Sequence, residues 1–328
     1  MRKLFAAKTL FCIISMISCV TANSMQKKKE LEATITNGQI QAHLYLPDAN
    51  NGYYRGVRFD WGGIISDLSY KGHTYFGKWF DLYAPTNNDA IMGPVEVFDP
   101  LEYNETTPGN GFIKIGVGTL AKADNSPYNF QKAYQIINPG KWNIEKKSDR
   151  VIFLHTLNEK QYAYLYTKTV QLMEHKPILV ISHSLKNTGT KTIETTVYDH
   201  NFFMLDKQAI GTGLVLTLPF ELNKKLIGAE NYVEFNVNKL SYLKNSDNHY
   251  IKFEDLTDGK GSTYDLKVEN YKTGAGVRIT GDQPIEQLAF WSSPKTVCPE
   301  PYIKIIVKPG QEICWRISYE FYCMEKVN

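Results

Sequence analysis

Two separate segments of the chain hold side chains that could exchange protons with a substrate. His200 lies within YDHNFF (198–203), where polar residues interrupt an aromatic run at the end of a predicted strand. From a strand end it could reach a cleft on one sheet. Glu300 lies between Pro299 and Pro301, which fix the backbone around it and hold its carboxylate at a defined loop position. A locally satisfied histidine and a structural loop acid are the alternative interpretations.

A carboxylate and an imidazole together can take a proton from one atom of a substrate and give a proton to another. An ionised carboxylate acts as the base and an imidazolium as the acid, and the pair needs no metal or cofactor. Their unperturbed pKa values, ~4.3 and ~6.5, bracket the useful range, and a nearby carboxylate raises that of histidine. We therefore predict His200 and Glu300 as the catalytic residues.

Motifs of several other enzyme classes are absent from the sequence. It has no GxSxG, no P-loop, no HExxH and no GxGxxG that opens a helix. It also lacks the Cys and His spacings of zinc sites, so no metal and no cofactor is expected. His183 shares its strand parity with apolar residues and is predicted to face the core. Cys298, Cys314 and Cys323 are interpreted as buried apolar residues.

The elements that position these residues are predicted to be strands. Strand-like runs alternate with turn-forming Asn, Pro and Gly clusters, and no window carries a helical apolar stripe. Predicted strands include 54–61, 112–120, 151–157, 162–172, 178–185, 190–198, 213–218, 232–238, 264–268 and 302–307. This pattern predicts an all-β fold, one large antiparallel β-sandwich of two sheets, with two smaller sandwiches as the alternative.

The charge of the chain is concentrated at its beginning. Lys plus Arg number 37 and Asp plus Glu 34, a net charge of +3 that is too small for a nucleic-acid binder. Arg2, Lys3 and Lys8 supply this excess, because residues 1–22 contain no acid. The remaining residues are therefore neutral overall, which agrees with an uncharged or weakly charged ligand.

Residues 1–22 are predicted to be a signal peptide for export to the periplasm or the medium. A basic start is followed by an apolar run and by small residues near Ala22. The alternative is a lipoprotein signal in which Cys19 carries a lipid anchor. No segment reaches the ~20 apolar residues of a membrane span. We expect a leader and first strand over 23–51 and the sandwich domain over 52–328.

Four segments of the sequence, in order, carry a family resemblance. Residues 60–68 (DWGGIISDL) and 71–77 (KGHTYFG) look like an opening strand pair, and 198–203 looks like an Asn-His-x-Tyr/Phe-Phe segment. Glu300 is followed by a strand and by Lys308-Pro309-Gly310, similar to a C-terminal glutamate ahead of a Pro-Gly-Glu turn. From about residue 52 to 322 the chain resembles the galactose mutarotase-like (aldose epimerase) superfamily, and in part its glucose-6-phosphate epimerase branch. The resemblance implies that the protein interconverts sugar anomers, with Glu300 as the general base that takes the proton of the anomeric hydroxyl and His200 as the general acid that protonates the ring oxygen. The two groups would then lie on opposite sides of the sugar ring.

The chain departs from this family on one side of the expected sugar site. No histidine lies in 110–114, and Met92 stands where an arginine often precedes the next segment. We infer that other polar residues rebuild this side and that an aromatic residue stacks on the sugar. The predicted substrate-binding residues are Arg55, Arg58, Glu96, Lys114 and Trp291, with Trp61, Trp79 and Tyr302 as further aromatic candidates. A sugar acid, a deoxy sugar and the end of an oligosaccharide all remain open as substrates.

These observations predict an exported sugar epimerase that interconverts anomers of an aldose or sugar derivative. Its partner would be a small sugar or oligosaccharide, and we expect a monomer or dimer. A non-catalytic carbohydrate-binding protein on the same fold is the alternative, motivated by the missing histidine and the many aromatic residues. A polysaccharide lyase is a third and weaker possibility, since related sandwiches host that chemistry.

Overall fold

Strands form almost all of the regular structure of this protein. The computed structural model describes residues 31–159, 161–222, 229–247, 249–257 and 261–325. The predicted signal segment, including Cys19, lies outside these residues. Within them there is no α-helix, and one 3-10 turn spans Leu205–Lys207. No helix among them has the length and apolarity needed to cross a membrane.

The described residues contain twenty-two strands. They are β1 Glu32–Thr36, β2 Ile40–Tyr45, β3 Ile64–Tyr70, β4 His73–Thr74, β5 Gly93–Phe98, β6 Gly111–Lys114, β7 Gly118–Ala121, β8 Ile136–Asn138, β9 Lys141–Lys146, β10 Arg150–Glu159, β11 Tyr162–Leu172, β12 Ile178–Asn187, β13 Ile193–Phe202, β14 Leu214–Thr217, β15 Val233–Asn236, β16 Lys239–Tyr242, β17 Ile251–Phe253, β18 Asp265–Asn270, β19 Ala275–Gly281, β20 Gln287–Ser292, β21 Val297–Val307 and β22 Glu312–Cys323.

The described strands form four antiparallel sheets. The largest has ten strands in the order β15-β16-β14-β18-β19-β22-β12-β11-β10-β9. A five-stranded sheet has the order β17-β20-β21-β13-β5, and it carries both predicted catalytic residues. A four-stranded sheet, β1-β2-β3-β4, and a three-stranded sheet, β6-β7-β8, complete the fold. The predicted all-β architecture with large antiparallel sheets is therefore confirmed.

The ten-stranded sheet forms one layer of the sandwich, and the other large sheets pack against it. Tyr166 and Trp315 of this layer contact Phe98 of β5, with ring centroids 5.4 and 6.2 Å apart. Leu44 of β2 lies in the same buried core as Val170 of β11. The inner face of the five-stranded sheet is thus covered by the core, and its outer face can form a cleft.

A buried cluster of charges lies between the two layers, behind the five-stranded sheet. Lys168 of β11 donates to Glu96 of β5 and lies 3.6 Å from Asp60, and all three side chains are buried. His183 donates to Glu96 at 2.8 Å and stacks on Trp315 at 4.6 Å. Its predicted core position is confirmed. Burial alone would raise the pKa of Glu96, but the nearby Lys168 and His183 outweigh it and lower the pKa to about 2. This carboxylate is therefore ionised.

Several strand predictions need correction. The predicted strand 112–120 is a hairpin, because Gly116 and Gly118 adopt positive φ and the chain reverses between β6 and β7. The predicted strand 54–61 is irregular. The segment 23–51 contains two strands, β1 and β2, and β2 pairs with β3. Of the three cysteines, Cys298 is buried as predicted, whereas Cys314 and Cys323 are exposed on β22.

Candidate functional site

His200 and Glu300 lie on neighbouring strands of the five-stranded sheet. β13 pairs with β21 in a register that places Tyr198 opposite Tyr302, and an isolated bridge places Phe203 opposite Val297. The same register, carried through the residues between these pairs, puts His200 directly opposite Glu300. Strand pairing therefore brings together two residues that are far apart in the sequence.

Side-chain alternation along β13 decides which residues reach the outer face. Tyr198, His200 and Phe202 line the cleft, whereas Asp199 between them points inward and accepts a hydrogen bond from Tyr319. β13 continues two residues beyond His200, so the histidine lies within the strand and does not close it. Its position on the cleft face is nevertheless the one that the sequence led us to expect.

Glu300 lies inside β21 and not in a loop, contrary to the expectation from its two prolines. The fixed φ of proline is compatible with extended backbone, and the strand runs through Pro299 and Pro301. Each proline removes one donor from the sheet, but β20 still pairs with this stretch, with Ala289 opposite Glu300. The prolines therefore hold the carboxylate on a strand, on the same face as His200.

The two side chains are in direct contact at the bottom of the cleft. His200 Nε2 lies 3.2 Å from Glu300 Oε1, and their side chains are 3% and 9% exposed. We expected the pair on opposite sides of a sugar ring, and this detail was wrong. Directly opposed positions on adjacent strands bring side chains together, so the two groups approach a substrate from the same side.

Burial sets the protonation of the pair in the opposite direction from our expectation. Burial, with the positive charge of Arg58 added, lowers the pKa of His200 well below its ordinary 6.5. Burial also raises the pKa of Glu300 from 4.5 to about 7, against the lowering effect of Arg58. The expected increase in the histidine pKa is therefore wrong, because desolvation dominates. The imidazole is therefore neutral near neutral pH, and Glu300 is protonated below about pH 7.

Arg58 reaches the cleft from the irregular segment before β3. Its Nη1 donates to Asp89 Oδ1 at 2.8 Å, and its guanidinium lies over the ring of Phe130 at 4.4 Å. The ion pair and the ring hold the cation beside His200 and Glu300. Arg58 thus lies where it can act on the charge of Glu300, in agreement with its predicted place in the site.

Aromatic rings form the inner walls of the cleft, which has a volume of about 940 Å³. Trp291 meets His200 edge to face at 6.0 Å and Trp79 at 5.4 Å. Phe202 stacks on His200 at 4.0 Å. The predicted position of Trp291 in the cleft agrees with this geometry, and Trp79 joins it. Tyr302 also lines the cleft, stacked on a neighbouring tyrosine.

The cations of the cleft are paired with carboxylates. Among the described residues, the cations that line it are Arg58, Lys252 and Lys295, and their partners are Asp89, Glu254 and Asp81 respectively. The Lys252–Glu254 contact is 2.6 Å. Each pair brings opposite charges together, so the rim of the cleft is close to neutral. Within the described ranges, no group of three or more His, Cys, Asp or Glu side chains is placed to hold a metal ion.

Solved structures share this arrangement of sheets. An aldose epimerase homologue (GalM) from C. elegans is 13% identical, with 90% of this chain and 99% of that chain covered and a TM-score of 0.53. A galactose mutarotase-like protein from Clostridium acetobutylicum is 12% identical, with 89% and 95% covered and a TM-score of 0.53. Another from Lactobacillus casei is 14% identical, with 89% and 100% covered and a TM-score of 0.52. The chain has the galactose mutarotase-like fold. No family model and no curated protein sequence matches it.

In this mutarotase-like fold, three predicted substrate-binding residues lie away from the cleft. Glu96 pairs with Asp199 across the sheet and shares its inward face, where it belongs to the buried charge cluster. Arg55 lies outside the cleft lining, and its backbone N–H donates to Pro85 O at 2.6 Å. The structure therefore does not bring Arg55 and Glu96 to the cleft with His200 and Glu300, because local sequence does not show which face each one occupies.

Lys114 is the third such residue. Its Nζ donates to Tyr128 Oη at 2.9 Å, and the side chain is fully buried behind the cleft wall. Burial lowers the pKa of Lys114 to about 7, so this amine is not a permanent cation. Trp61 is also buried, with its indole N–H donating to Gly56 O at 2.8 Å, and it does not line the cleft.

Other residues that line the cleft escaped the sequence analysis. Phe130 and Asp89 lie in irregular loops on one side, and Tyr250 comes from the segment before β17 on the other. Loop residues show no periodicity, so no pattern in the sequence points to them. The 21 tyrosines of the chain do not by their number show which of them reaches the cleft.

Proposed function

We propose that this protein is a sugar epimerase of the mutarotase type, which interconverts the α and β anomers of a reducing sugar. The observation that carries this proposal is the contact between His200 and Glu300 at the bottom of an aromatic-lined cleft. An acid and a base side by side suit this reaction, because the anomeric hydroxyl and the ring oxygen are bonded to the same carbon.

The reaction starts with Glu300 protonated and His200 neutral. Burial of the two side chains favours this protonation state below about pH 7. Glu300 donates its proton to the ring oxygen while His200 Nε2 accepts the proton of the anomeric hydroxyl. The bond between C1 and the ring oxygen breaks, and C1 becomes a carbonyl carbon. After rotation about C1–C2, the imidazolium returns its proton to the carbonyl oxygen. The ring oxygen then attacks the other face and returns its proton to Glu300, which restores the starting state.

The family resemblance implies the reverse roles, with His200 as the acid and Glu300 as the base. The burial of the pair supports the assignment used here, because it lowers the pKa of His200 and raises that of Glu300. Arg58 favours the ionised form of Glu300 and would stabilise the carboxylate that forms when its proton leaves. This places Arg58 beside the reacting atoms without requiring that it exchange a proton.

The proposal is tested by NMR saturation exchange between anomers across a broad panel of reducing sugars. We expect faster interconversion than in buffer for at least one sugar. Glu300→Gln and His200→Asn should each reduce the rate ~10²- to 10⁴-fold. Tryptophan quenching by a sugar, without exchange and unchanged by Glu300→Gln, would instead support a non-catalytic carbohydrate-binding protein.

We further propose that the protein is exported. The basic and apolar character of residues 1–22 supports this proposal. Fractionation of cells that express the full chain should recover it outside the cytoplasm. Loss of membrane association in Cys19→Ala, with export retained, would support a lipid anchor, whereas a cytoplasmic full-length chain would refute export.

A further inference from the structure

The mouth of the cleft carries large apolar side chains that water reaches. Leu82 is 82% exposed, Tyr250 68% and Phe130 40%, and all three line the same cleft as His200 and Glu300. Exposed apolar groups that gather around one opening indicate a binding surface, whereas isolated ones do not. The catalytic pair lies at the bottom of the cleft, so these rim residues have no part in proton transfer.

The cleft is larger than one sugar ring requires. At ~30 Å³ per water-sized atom, its volume of about 940 Å³ corresponds to roughly thirty non-hydrogen atoms, more than twice the number in a hexose. A single ring seated on His200 and Glu300 would leave the rim uncovered. The extra room and the exposed rim together indicate a second unit attached to the first.

Tyr250 is the rim residue best placed to receive that unit. It lies next to Trp291, with ring centroids 6.0 Å apart and an angle of 30° between the planes. The two rings thus form a continuous wall from the bottom of the cleft to its mouth. The alternative platform, Phe130, already has the Arg58 guanidinium over its ring at 4.4 Å. Tyr250 keeps most of its surface open to a ligand.

The charges of the cleft indicate that the second unit is uncharged. The described cations that line the cleft contact carboxylates, as the Arg58–Asp89 and Lys252–Glu254 contacts show. A phosphate or carboxylate on the ligand would have to displace an acid from its partner. Hydroxyl groups, in contrast, can hydrogen-bond to these paired groups without breaking them.

From this geometry, and given the epimerase function proposed above, we propose that the substrate is the reducing end of an uncharged oligosaccharide. Its terminal ring lies on His200 and Glu300, and the next ring packs on Tyr250. The aromatic face receives the C–H side of the second sugar, while the terminal ring remains free to open because its anomeric carbon is not substituted.

Binding measurements test this proposal without turnover. Tryptophan fluorescence titrations compare neutral reducing disaccharides with the monosaccharide of their own reducing end, and with uronic acids and sugar phosphates. We expect at least one neutral disaccharide to bind about tenfold more tightly than its monosaccharide, the gain from one well-packed aromatic contact. The proposal is overturned if no disaccharide binds more tightly than its monosaccharide, or if an anionic sugar binds most tightly.

Substitution of Tyr250 localises the second ring. Tyr250→Ala should reduce the ratio of disaccharide to monosaccharide affinity by about tenfold, and Tyr250→Phe should retain it. Tyr271→Ala, at a partly exposed tyrosine outside the cleft, is the matched control. An unchanged ratio in Tyr250→Ala would refute the placement.

Anomer exchange measured on the same sugars separates this inference from the proposed function. Preferential disaccharide binding that is lost in Tyr250→Ala, with no exchange on any sugar, would refute the epimerase and leave the second-ring site supported. Exchange on monosaccharides with no preference for disaccharides would refute the second-ring site alone.

Discussion

Replacing Glu300 with glutamine should reduce the rate of anomer exchange ~10²- to 10⁴-fold and yet stabilise the protein at alkaline pH. The buried carboxylate has a pKa of about 7 in the folded protein, against 4.5 for the free group. Because the folded value is the higher one, the stability that this group contributes is fully present below pH 4.5. It is lost progressively as the pH rises through 7.

The size of this effect follows from the difference between the two pKa values. Each pKa unit corresponds to ~1.4 kcal/mol of unfolding free energy. At pH 9 the ionisation of Glu300 therefore lowers the unfolding free energy of the wild type by up to about 3 kcal/mol, and the Glu300→Gln variant does not undergo this loss. The amide has nearly the same shape and can still donate to the neutral His200. The variant should therefore unfold at higher urea concentration than the wild type at pH 9, and at a similar concentration at pH 4.5.

The assay is urea denaturation of the variant and the wild type at these two pH values. Groups that titrate in both proteins contribute equally to their unfolding free energies, so their contributions cancel in the difference. Glu234→Gln is the control, since Glu234 is exposed on β15 outside the cleft and surface substitutions change stability by ~0.5 kcal/mol or less. If Glu300→Gln is less stable than the wild type at pH 9, Arg58 and its surroundings hold the carboxylate ionised. The argument from burial would then be refuted.

Three further predictions follow from the described contacts. The rate of anomer exchange should fall as the pH rises above about 7, because Glu300 then loses the proton of the pair; a constant rate between pH 6 and 9 would contradict this. Arg58→Gln should move this fall to higher pH, since Arg58 lowers the pKa of Glu300, whereas Arg58→Lys should leave it nearly in place. Glu96→Gln should destabilise the protein by ~3–5 kcal/mol in urea denaturation, because it removes the carboxylate charge that the buried Lys168 contacts and leaves the more distant Asp60, at 3.6 Å, to balance it; a loss below about 1 kcal/mol would refute the role of the cluster.

The strands and their faces could largely be predicted from the sequence. Period-two alternation in β10, β11 and β12 shows in the sequence as well as in the observed burial pattern. The two catalytic candidates could also be found, because a polar His200 within an aromatic run and an acid between prolines are local features. Their positions on the cleft face follow from alternation once the strands are known.

The predicted binding residues show where such reasoning ends. Arg58 and Arg55 lie in one irregular segment, and only the first reaches the cleft. Glu96 is an acid on a strand beside β13, but its alternation places it on the inner face with Lys168. No local pattern distinguishes these cases, because the face of a residue depends on which neighbour its strand or loop packs against. Tyr250 was missed for the same reason.

An all-β chain, the strand alternation, and a histidine and a glutamate of suitable type for acid/base chemistry can be inferred from the amino-acid sequence. The 3.2 Å contact between His200 and Glu300 on one face, and the burial that raises the pKa of Glu300, follow from the folded chain. Strand register and desolvation are non-local properties. Pairing of β13 with β21 sets the distance, and the surrounding sheets and rings exclude the water that would otherwise keep both groups near their ordinary pKa values.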